Sequence, residues 1–187
     1  MMMIVIEFGK VINNFKSLFK EILLNMEIVN FSGDNYPKFQ TLGNASQFSI
    51  SFALHFCKGV GYDIGYCKEE WKFPGAIGID KSEKSEFDAN NLPNNLVDYI
   101  YSSHCLEHVD NWIETLEYWI SKLNNGGILF LYLPDFSQKY WRPWNNRKHK
   151  HCLTSELLNN FMIDHGMKNI FVSGIDLNNS FMIVCEK

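Results

Sequence analysis

Residues 59–80, GVGYDIGYCKEEWKFPGAIGID, constrain the fold most, because they place two apolar strands and a glycine turn close together. We predict the first strand at residues 62–64 and the second at residues 76–80. A glycine directly after a strand lets the backbone turn sharply and approach a ligand. A carboxylate at the end of the next strand is placed to accept hydrogen bonds from ribose hydroxyls. The segment therefore predicts an α/β sheet with a nucleoside-binding edge.

Further motifs follow in the order that such a sheet needs. DANNLP begins at Asp88, VDYIYSSHCLEHV at Val97 and LNNGGILFLYLPD at Leu123. The continuous apolar run ILFLYLP is typical of a strand buried on both faces in a parallel sheet. From about Gly43 to Lys187 the chain thus resembles the class I S-adenosylmethionine methyltransferases.

The resemblance implies a Rossmann-like α/β sandwich, with a mostly parallel seven-strand-type sheet and an antiparallel last strand. Between Asp80 and Asp98 there is room only for a short third strand, near Phe87. We expect the last two strands at residues 170–174 and 181–185. The cofactor implied by the resemblance is S-adenosylmethionine.

Bulk composition fits one globular domain. The chain has 187 residues, of which 46% are hydrophobic and 20% charged, enough to form a full core. A net charge of −4 disfavours general binding to nucleic acid. The five cysteines form no CxxC pair, which indicates reduced thiols and a cytoplasmic protein. We expect no signal peptide and no membrane helix, because charges interrupt the apolar start well before about 20 residues.

The N-terminal part is predicted to be an extension, residues 1–42, before a methyltransferase domain at residues 43–187. It would contain a strand at residues 3–8, an amphipathic helix at residues 11–23 and a polar connector at residues 30–43. The helix is expected to pack on the domain or on a second subunit, in a homodimer, with binding at a membrane surface as the alternative.

Helical segments in the domain follow from periodicity and caps. Phenylalanines at four-residue spacing predict a helix over residues 45–56. Asp110 is a candidate N-cap for the next helix, and Thr154 for the last one, which Gly166 would end.

The cofactor side is predicted from the glycine turn and the strand ends. Asp63 and Gly65 match the first motif of the family, and Asp80 is the candidate ribose ligand, with a turn or helix cap as the alternative. The family continues with two more alternate glycines, where this chain has Cys67 and Glu69. That departure, with a short crossover before the second strand, supports the alternative of a catalytically inactive binding or scaffold protein.

Two later motifs complete the predicted cofactor and catalytic sites. By resemblance, Asp88 and Ala89 contact the adenine, with a plain Asx-turn as the alternative. Ser103 should lie at the carboxyl edge of the sheet, where ligands bind. His104 beside it is a candidate general base, or else a hydrogen-bonded scaffold residue. Glu107 and His108, which follow, are interpreted as structural.

The loop at residues 135–153, DFSQKYWRPWNNRKHKHCL, is predicted to form the acceptor-binding wall. Aromatic rings can stack on a sugar, and arginine offers a planar fork to anionic oxygens. A solvated basic loop anchored by tryptophans is the alternative. The candidate substrate residues in the loop are Tyr140, Trp141, Arg142, Trp144, Arg147 and His151, and His149 is a second candidate base.

The turn before the last strand offers secondary candidates. If the preceding strand is parallel to the ILFLYLP strand, Asp176, Asn178 and Ser180 emerge at the ligand edge, although an ordinary Asn-rich turn explains them equally well. No metal site is predicted, because His149 and His151 alternate without a second ligand pair at zinc spacing.

Together these features predict an S-adenosylmethionine-dependent methyltransferase. The expected acceptor is an oxygen or nitrogen of a small polar molecule, with a sugar or glycan precursor suggested by the aromatic and cationic loop. A nicotinamide-dependent oxidoreductase is a weaker alternative, because the glycines do not follow the strand in GxGxxG order.

Overall fold

The computed structural model describes residues 27–31, 33–38, 43–81 and 85–187. The chain divides into two compact units, Met1–Gly43 and Asn44–Lys187. The strand predicted at residues 3–8 and the amphipathic helix predicted at residues 11–23 lie outside the described residues.

In the first unit, two strands form an antiparallel ribbon. Strand β1, Ile28–Phe31, pairs with β2, Asp34–Pro37, so that Phe31 lies opposite Asp34. Gly33 has a φ of 85°, which allows the two-residue turn that this register needs. The prediction of a plain polar connector over residues 30–43 is therefore wrong for its first half.

The second unit contains a mixed sheet, six-stranded in the described part of the chain, in the order β4-β3-β5-β6-β8-β7. Strands β3 to β6 are parallel neighbours, and β8 runs antiparallel to both β6 and β7. This confirms the mostly parallel α/β sheet with an antiparallel last strand. The strands are β3 Gly61–Ile64, β4 Ile77–Ile79, β5 Val97–Ser103, β6 Leu123–Pro134, β7 Lys168–Val172 and β8 Ser180–Glu186.

The short third strand predicted near Phe87 does not form within the described residues 85–96. Asp88 and Asn91 make only an isolated bridge there, because the chain turns back on itself and then meets Pro93. The sheet thus has one strand fewer than the seven-strand-type pattern in the part of the chain that the structure describes.

The helices are short, and their ends follow local signals. α1 is Ile50–Ala53, α2 is Trp112–Ser121 and α3 is Ser155–Asp164. The predicted helix over residues 45–56 is interrupted, since a 3-10 turn at Ser46–Phe48 precedes α1.

Capping explains where two of these helices begin and end. The side chain of Asn111, not Asp110, caps α2 by accepting from the Glu114 amide. Thr154 caps α3 as predicted, and Gly166, with a φ of 71°, follows its last turn.

The core lies between the sheet and α2 and α3. Leu116 and Trp119 of α2 and Leu158 of α3 are fully buried in one cluster with Ile100 and Leu129 of the sheet. From β3, the chain passes first to β4 on one side of it and then to β5 on its other side. The strand order therefore reverses between β3 and β5, and the crevice at their carboxyl ends is where such sheets bind ligands. We call it the switch point. Within the described residues, each helix is too short or too polar to cross a membrane.

Candidate active site at the carboxyl edge of the sheet

The glycine turn after β3 requires a glycine at its first position. Gly65 has a φ of 85°, a conformation that side chains disfavour. A Cβ atom there would also lie 2.5 Å from the Sγ of Cys105. The Gly65 amide donates to the carbonyl of Ile79 at 2.7 Å, so the turn is fixed against both β4 and the segment after β5.

Cys67, where the family motif has a glycine, adopts a left-handed backbone conformation. Its φ is 63°, and the Lys68 amide donates to the Tyr66 carbonyl across it at 2.6 Å, which is a tight three-residue turn. The Cys67 amide donates to Oδ2 of Asp80 at 2.7 Å. The sequence departs from the motif here, and the backbone nevertheless adopts a positive φ.

The two carboxylates on the cofactor side occupy different environments. Asp80 follows β4 and is partly exposed, beside the glycine turn. Asp63 is only 1% exposed and accepts a 2.6 Å hydrogen bond from the Phe73 amide. Burial raises the pKa of Asp63 to about 7; the Phe73 hydrogen bond opposes this rise and the nearby Asp80 adds to it. Asp63 was predicted to bind cofactor, but its carboxylate lies inside the protein and holds the short crossover segment.

Asp88 and Ala89 form a compact turn. Oδ1 of Asp88 accepts from the Asn90 amide at 2.8 Å, which is the Asx-turn given as the alternative to adenine binding. The carbonyl of Ala89 accepts from Nε1 of Trp119 at 2.7 Å. The backbone of this turn is thus anchored to α2, while the Asp88 side chain remains partly exposed.

The end of β5 brings a histidine to the sheet edge. Ser103 pairs with Tyr132 of β6, and His104 follows it with a φ of 50°. Nε2 of His104 lies 2.9 Å from Oγ of Ser180, and the ring meets Trp141 edge to face at 4.8 Å. Burial, and then the neighbouring histidines, hold the pKa of His104 well below its usual value.

Part of the loop at residues 135–153 folds inward. Trp141 and His149 are 7% and 6% exposed, and their rings stack with centroids 6.4 Å apart. Burial, reinforced by His108, lowers the pKa of His149 to about 4. His151 lies beside them with its Nε2 2.9 Å from the Val109 carbonyl. These contacts fix the loop against the segment after β5.

The other predicted substrate residues of the loop are exposed or, for Arg142, partly exposed. Tyr140 and Trp144 are 37% and 64% exposed, and Arg147 is also exposed. Nε of Arg142 donates to the Phe136 carbonyl at 3.0 Å, and its guanidinium lies 5.8 Å from the Trp144 ring centroid. The loop thus presents aromatic and cationic groups on one exposed segment.

The turn before β8 reaches the same edge, as predicted from topology, because β7 and β6 both run antiparallel to β8. Oδ2 of Asp176 accepts from the Tyr132 hydroxyl at 2.6 Å, and Oδ1 accepts from the amides of Asn178 and Ser180. Burial raises the pKa of Asp176 to about 6. Asn178 is buried. The turn fixes Ser180 through the bond from its amide to Asp176, and the Ser180 hydroxyl in turn contacts His104.

Sequence reasoning missed the environment of Glu107. Its side chain is 1% exposed in the 3-10 turn Leu106–His108, and burial raises its pKa to about 7, against the opposing effect of His108. Glu107, His108 and His149 bring potential metal-ligand atoms within 4.8 Å of one another. Adjacent Glu and His in the sequence were a weak signal, since the third member lies some forty residues later, and only the fold joins them.

Comparison with known proteins identifies the fold and the family. The family described as "Methyltransferase domain" matches residues 43–171, whereas no curated protein matches the chain. A SAM-dependent methyltransferase from Thermotoga maritima is 17% identical, with 95% of this chain and 99% of that chain covered and a TM-score of 0.62. One from Archaeoglobus fulgidus is 19% identical, with 79% and 94% covered and a TM-score of 0.57.

The N-methyltransferase NodS from Bradyrhizobium japonicum, in complex with S-adenosyl-L-homocysteine, is 12% identical, with 80% of this chain and 88% of that chain covered and a TM-score of 0.57. The chain therefore belongs to the methyltransferase domain family and is a class I S-adenosylmethionine-dependent methyltransferase. The residues fit this cofactor. The left-handed turn at Gly65 and Cys67 lies at the switch point, with the partly exposed carboxylate of Asp80 beside it.

Proposed function

We propose that this enzyme methylates an oxygen or nitrogen of a small polar acceptor, and that a sugar or glycan precursor is the acceptor class. The observation that carries the proposal is the arrangement after β6. Exposed Tyr140, Trp144 and Arg147 stand on a loop whose buried half, at Trp141, contacts His104 at the end of β5. Aromatic faces and planar cations suit a polar ring that carries anionic or hydroxyl groups.

On the cofactor side, we assign binding to Gly65, Asp80, Asp88, Ala89 and Ser103. Bound S-adenosylmethionine supplies an electrophilic methyl group on its sulfonium. Asp80, which accepts from the Cys67 amide, would hold the ribose, and Asp88 would hold the adenine. Asp63 contributes indirectly, because it fixes the crossover segment that follows the glycine turn.

On the acceptor side, His104 takes the proton released from the nucleophile, and Ser180 fixes the orientation of its ring. We prefer His104 to His149, since the His104 side chain keeps partial exposure at the end of β5, whereas His149 is 6% exposed. The enzyme's main contribution is alignment of the nucleophile with the methyl group and exclusion of water from the reacting atoms.

The acceptor class is tested by incubating the protein with S-adenosylmethionine and panels of monosaccharides, nucleotide sugars and small amines, with S-adenosylhomocysteine release as the readout. We expect release above the acceptor-free background with sugar-containing acceptors. Release with amines alone would contradict the sugar assignment. Calorimetric titration with S-adenosylhomocysteine is the control for cofactor binding, which Asp80→Ala should weaken at least about tenfold, the loss expected for charge-assisted hydrogen bonds.

The arginines separate the acceptor side from the cofactor side. Arg142→Ala and Arg147→Ala should lower kcat/KM about tenfold or more, the loss expected from one charged contact, and leave the dissociation constant of S-adenosylhomocysteine unchanged. Lys168→Ala is a matched control, because this exposed lysine begins β7 at the opposite edge of the sheet. Equal loss of cofactor binding in both arginine variants would move these residues to the cofactor side.

A further inference from the structure

The buried carboxylate of Glu107 has no hydrogen-bond partner among the residues that the structure describes. Both of its oxygens are fully enclosed and accept no hydrogen bond. The nearest ring nitrogens, Nε2 of His108 and Nδ1 of His104, lie 3.6 and 3.8 Å from Oε1, which is too long for a hydrogen bond. A buried carboxylate is normally paired, hydrogen-bonded or bound to a metal. The only ion-pair contacts of the Glu107 carboxylate within the described chain are therefore these two histidine rings, both beyond hydrogen-bond distance.

The two histidines that complete the cluster are held in different ways, His108 by a backbone carbonyl and His149 by ring contacts. Nδ1 of His108 lies 2.8 Å from the Lys148 carbonyl, and a carbonyl only accepts, so Nδ1 carries the hydrogen. The lone pair of the neutral ring is then on Nε2, the atom that faces Glu107. The His149 ring is placed by its contacts with the rings of His108, at 4.6 Å between centroids, and Trp141. A metal-binding histidine usually donates its other ring N–H as His108 does here, which fixes its tautomer and orientation.

The geometry of the cluster is close to that of a metal site. One ligand atom each from Glu107, His108 and His149 lie within 4.8 Å of one another. Bond lengths of about 2.0–2.2 Å to nitrogen and oxygen would place tetrahedral zinc ligands roughly 3.3–3.5 Å apart. A side-chain contraction of about 1 Å would close the site around an ion. Two histidines and one glutamate are also a ligand set that zinc uses in proteins.

We propose that Glu107, His108 and His149 bind a divalent transition-metal ion of the zinc type. Two of the ligands belong to the turn after β5 and the third to the loop at residues 135–153, so the ion joins these segments. The same segments already pair through the Lys150 amide and the Glu107 carbonyl at 2.8 Å. The ion thus fixes the acceptor loop at its buried end, away from the exposed aromatic and cationic residues that are proposed to meet the acceptor. This site is independent of which acceptor the enzyme uses.

Cobalt and zinc titrations of chelator-treated protein test the proposal, because tetrahedral Co²⁺ has a distinctive visible absorption. We expect wild-type protein to bind one equivalent of Co²⁺ with this spectrum, and Zn²⁺ to displace it. Glu107→Gln and His149→Gln should each weaken binding at least about tenfold, as loss of a ligand does. His151→Gln is the matched control, since its Nε2 is already held near the Val109 carbonyl, and it should bind like wild type.

Two results would overturn the proposal. One is wild-type protein that shows no saturable Co²⁺ spectrum, which would leave a shared proton as the charge beside Glu107. The other is His149→Gln protein that binds Co²⁺ as tightly as wild type. If the variants do not fold, as judged by circular dichroism, imidazole ¹⁵N shifts of wild-type protein on addition of Zn²⁺ decide the matter. Shifts at His108 and His149 support the site, and shifts confined to other histidines reject it.

Discussion

The turn after β3 and the loop after β6 leave the same edge of the sheet, but their polar groups are satisfied differently. In the turn, the Cys67 amide bonds to Asp80, and the residues around it are exposed. In the loop, His149 is buried beside Glu107, whose carboxylate oxygens have no hydrogen bond within the described chain. The turn relies on backbone conformation, whereas the loop relies on buried side chains.

This difference predicts how each region responds to substitution. A turn held by backbone geometry is sensitive to which residues tolerate a left-handed φ and insensitive to most side-chain chemistry. A buried polar cluster is sensitive to charge, because an unpaired group has no water to compensate it. Asp63 is the exception on the cofactor side. It lies near the glycine turn, but its side chain is buried, so a change in its charge should affect stability.

The largest effect is therefore expected from Asp63→Asn, as a function of pH. The raised pKa of about 7 means that folding favours the protonated acid. This contribution to stability is complete below the unfolded pKa near 4 and is lost as pH rises through about 7. Asn stays neutral and still accepts from Phe73, so the variant should be more stable at pH 8, by up to about 4 kcal/mol for a shift of roughly three pKa units.

Urea unfolding between pH 4 and 8 measures this effect, and the stability difference should approach zero at pH 4. Asp98→Asn is the control. The Val60 amide and the Asn124 side chain lower the pKa of the exposed Asp98, so its contribution is present above its unfolded pKa near 4 and is lost only as pH falls from there through the folded pKa. The stability difference between this variant and wild type should therefore stay constant between pH 4 and 8. Wild-type and Asp63→Asn curves that stay parallel across the range would show that Asp63 does not titrate near neutrality.

A smaller effect is expected when Gly65 is replaced. Gly65→Ala should destabilise the protein by about 2–3 kcal/mol, because it combines a left-handed φ with overpacking against Cys105. Gly75→Ala is a matched control. Gly75 has a φ of 80°, and a Cβ there would meet no atom within 4 Å, so only the conformational cost of about 1 kcal/mol remains. Equal losses of unfolding free energy in the two variants would mean that the Cys105 contact relaxes without cost.

The sequence predicted the parts of this molecule that depend on nearby residues. The continuous apolar run of β6, the Thr154 cap and the stop at Gly166 are local signals, and all three occur as expected. The N-cap of α2 is Asn111, one residue after the predicted Asp110. Both residue types are good N-caps, so the local sequence does not distinguish between them.

Long-range contacts determined what the sequence could not predict. The burial of Glu107 depends on a loop some forty residues later in the chain. In that loop, the Lys150 amide donates to the backbone carbonyl of Glu107. Asp63 and Asp80 both match the family motif, but only the packing of the short crossover shows that the first is buried under Phe73. Spacing along the chain carries no information about such contacts.

The smallest effect, and the most direct test of backbone control, is expected at Cys67. Cys67→Gly removes the cost of a left-handed φ, about 1–2 kcal/mol, but adds unfolded-state entropy of about 0.5–1 kcal/mol. A net gain of about 0.5 kcal/mol in unfolding free energy is expected. Cys67→Ala keeps the unfavourable φ and loses only an exposed thiol, so it should match wild type. If Ala stabilised the protein as much as Gly, the thiol rather than the backbone would be the source of strain, and the turn would not be controlled by φ.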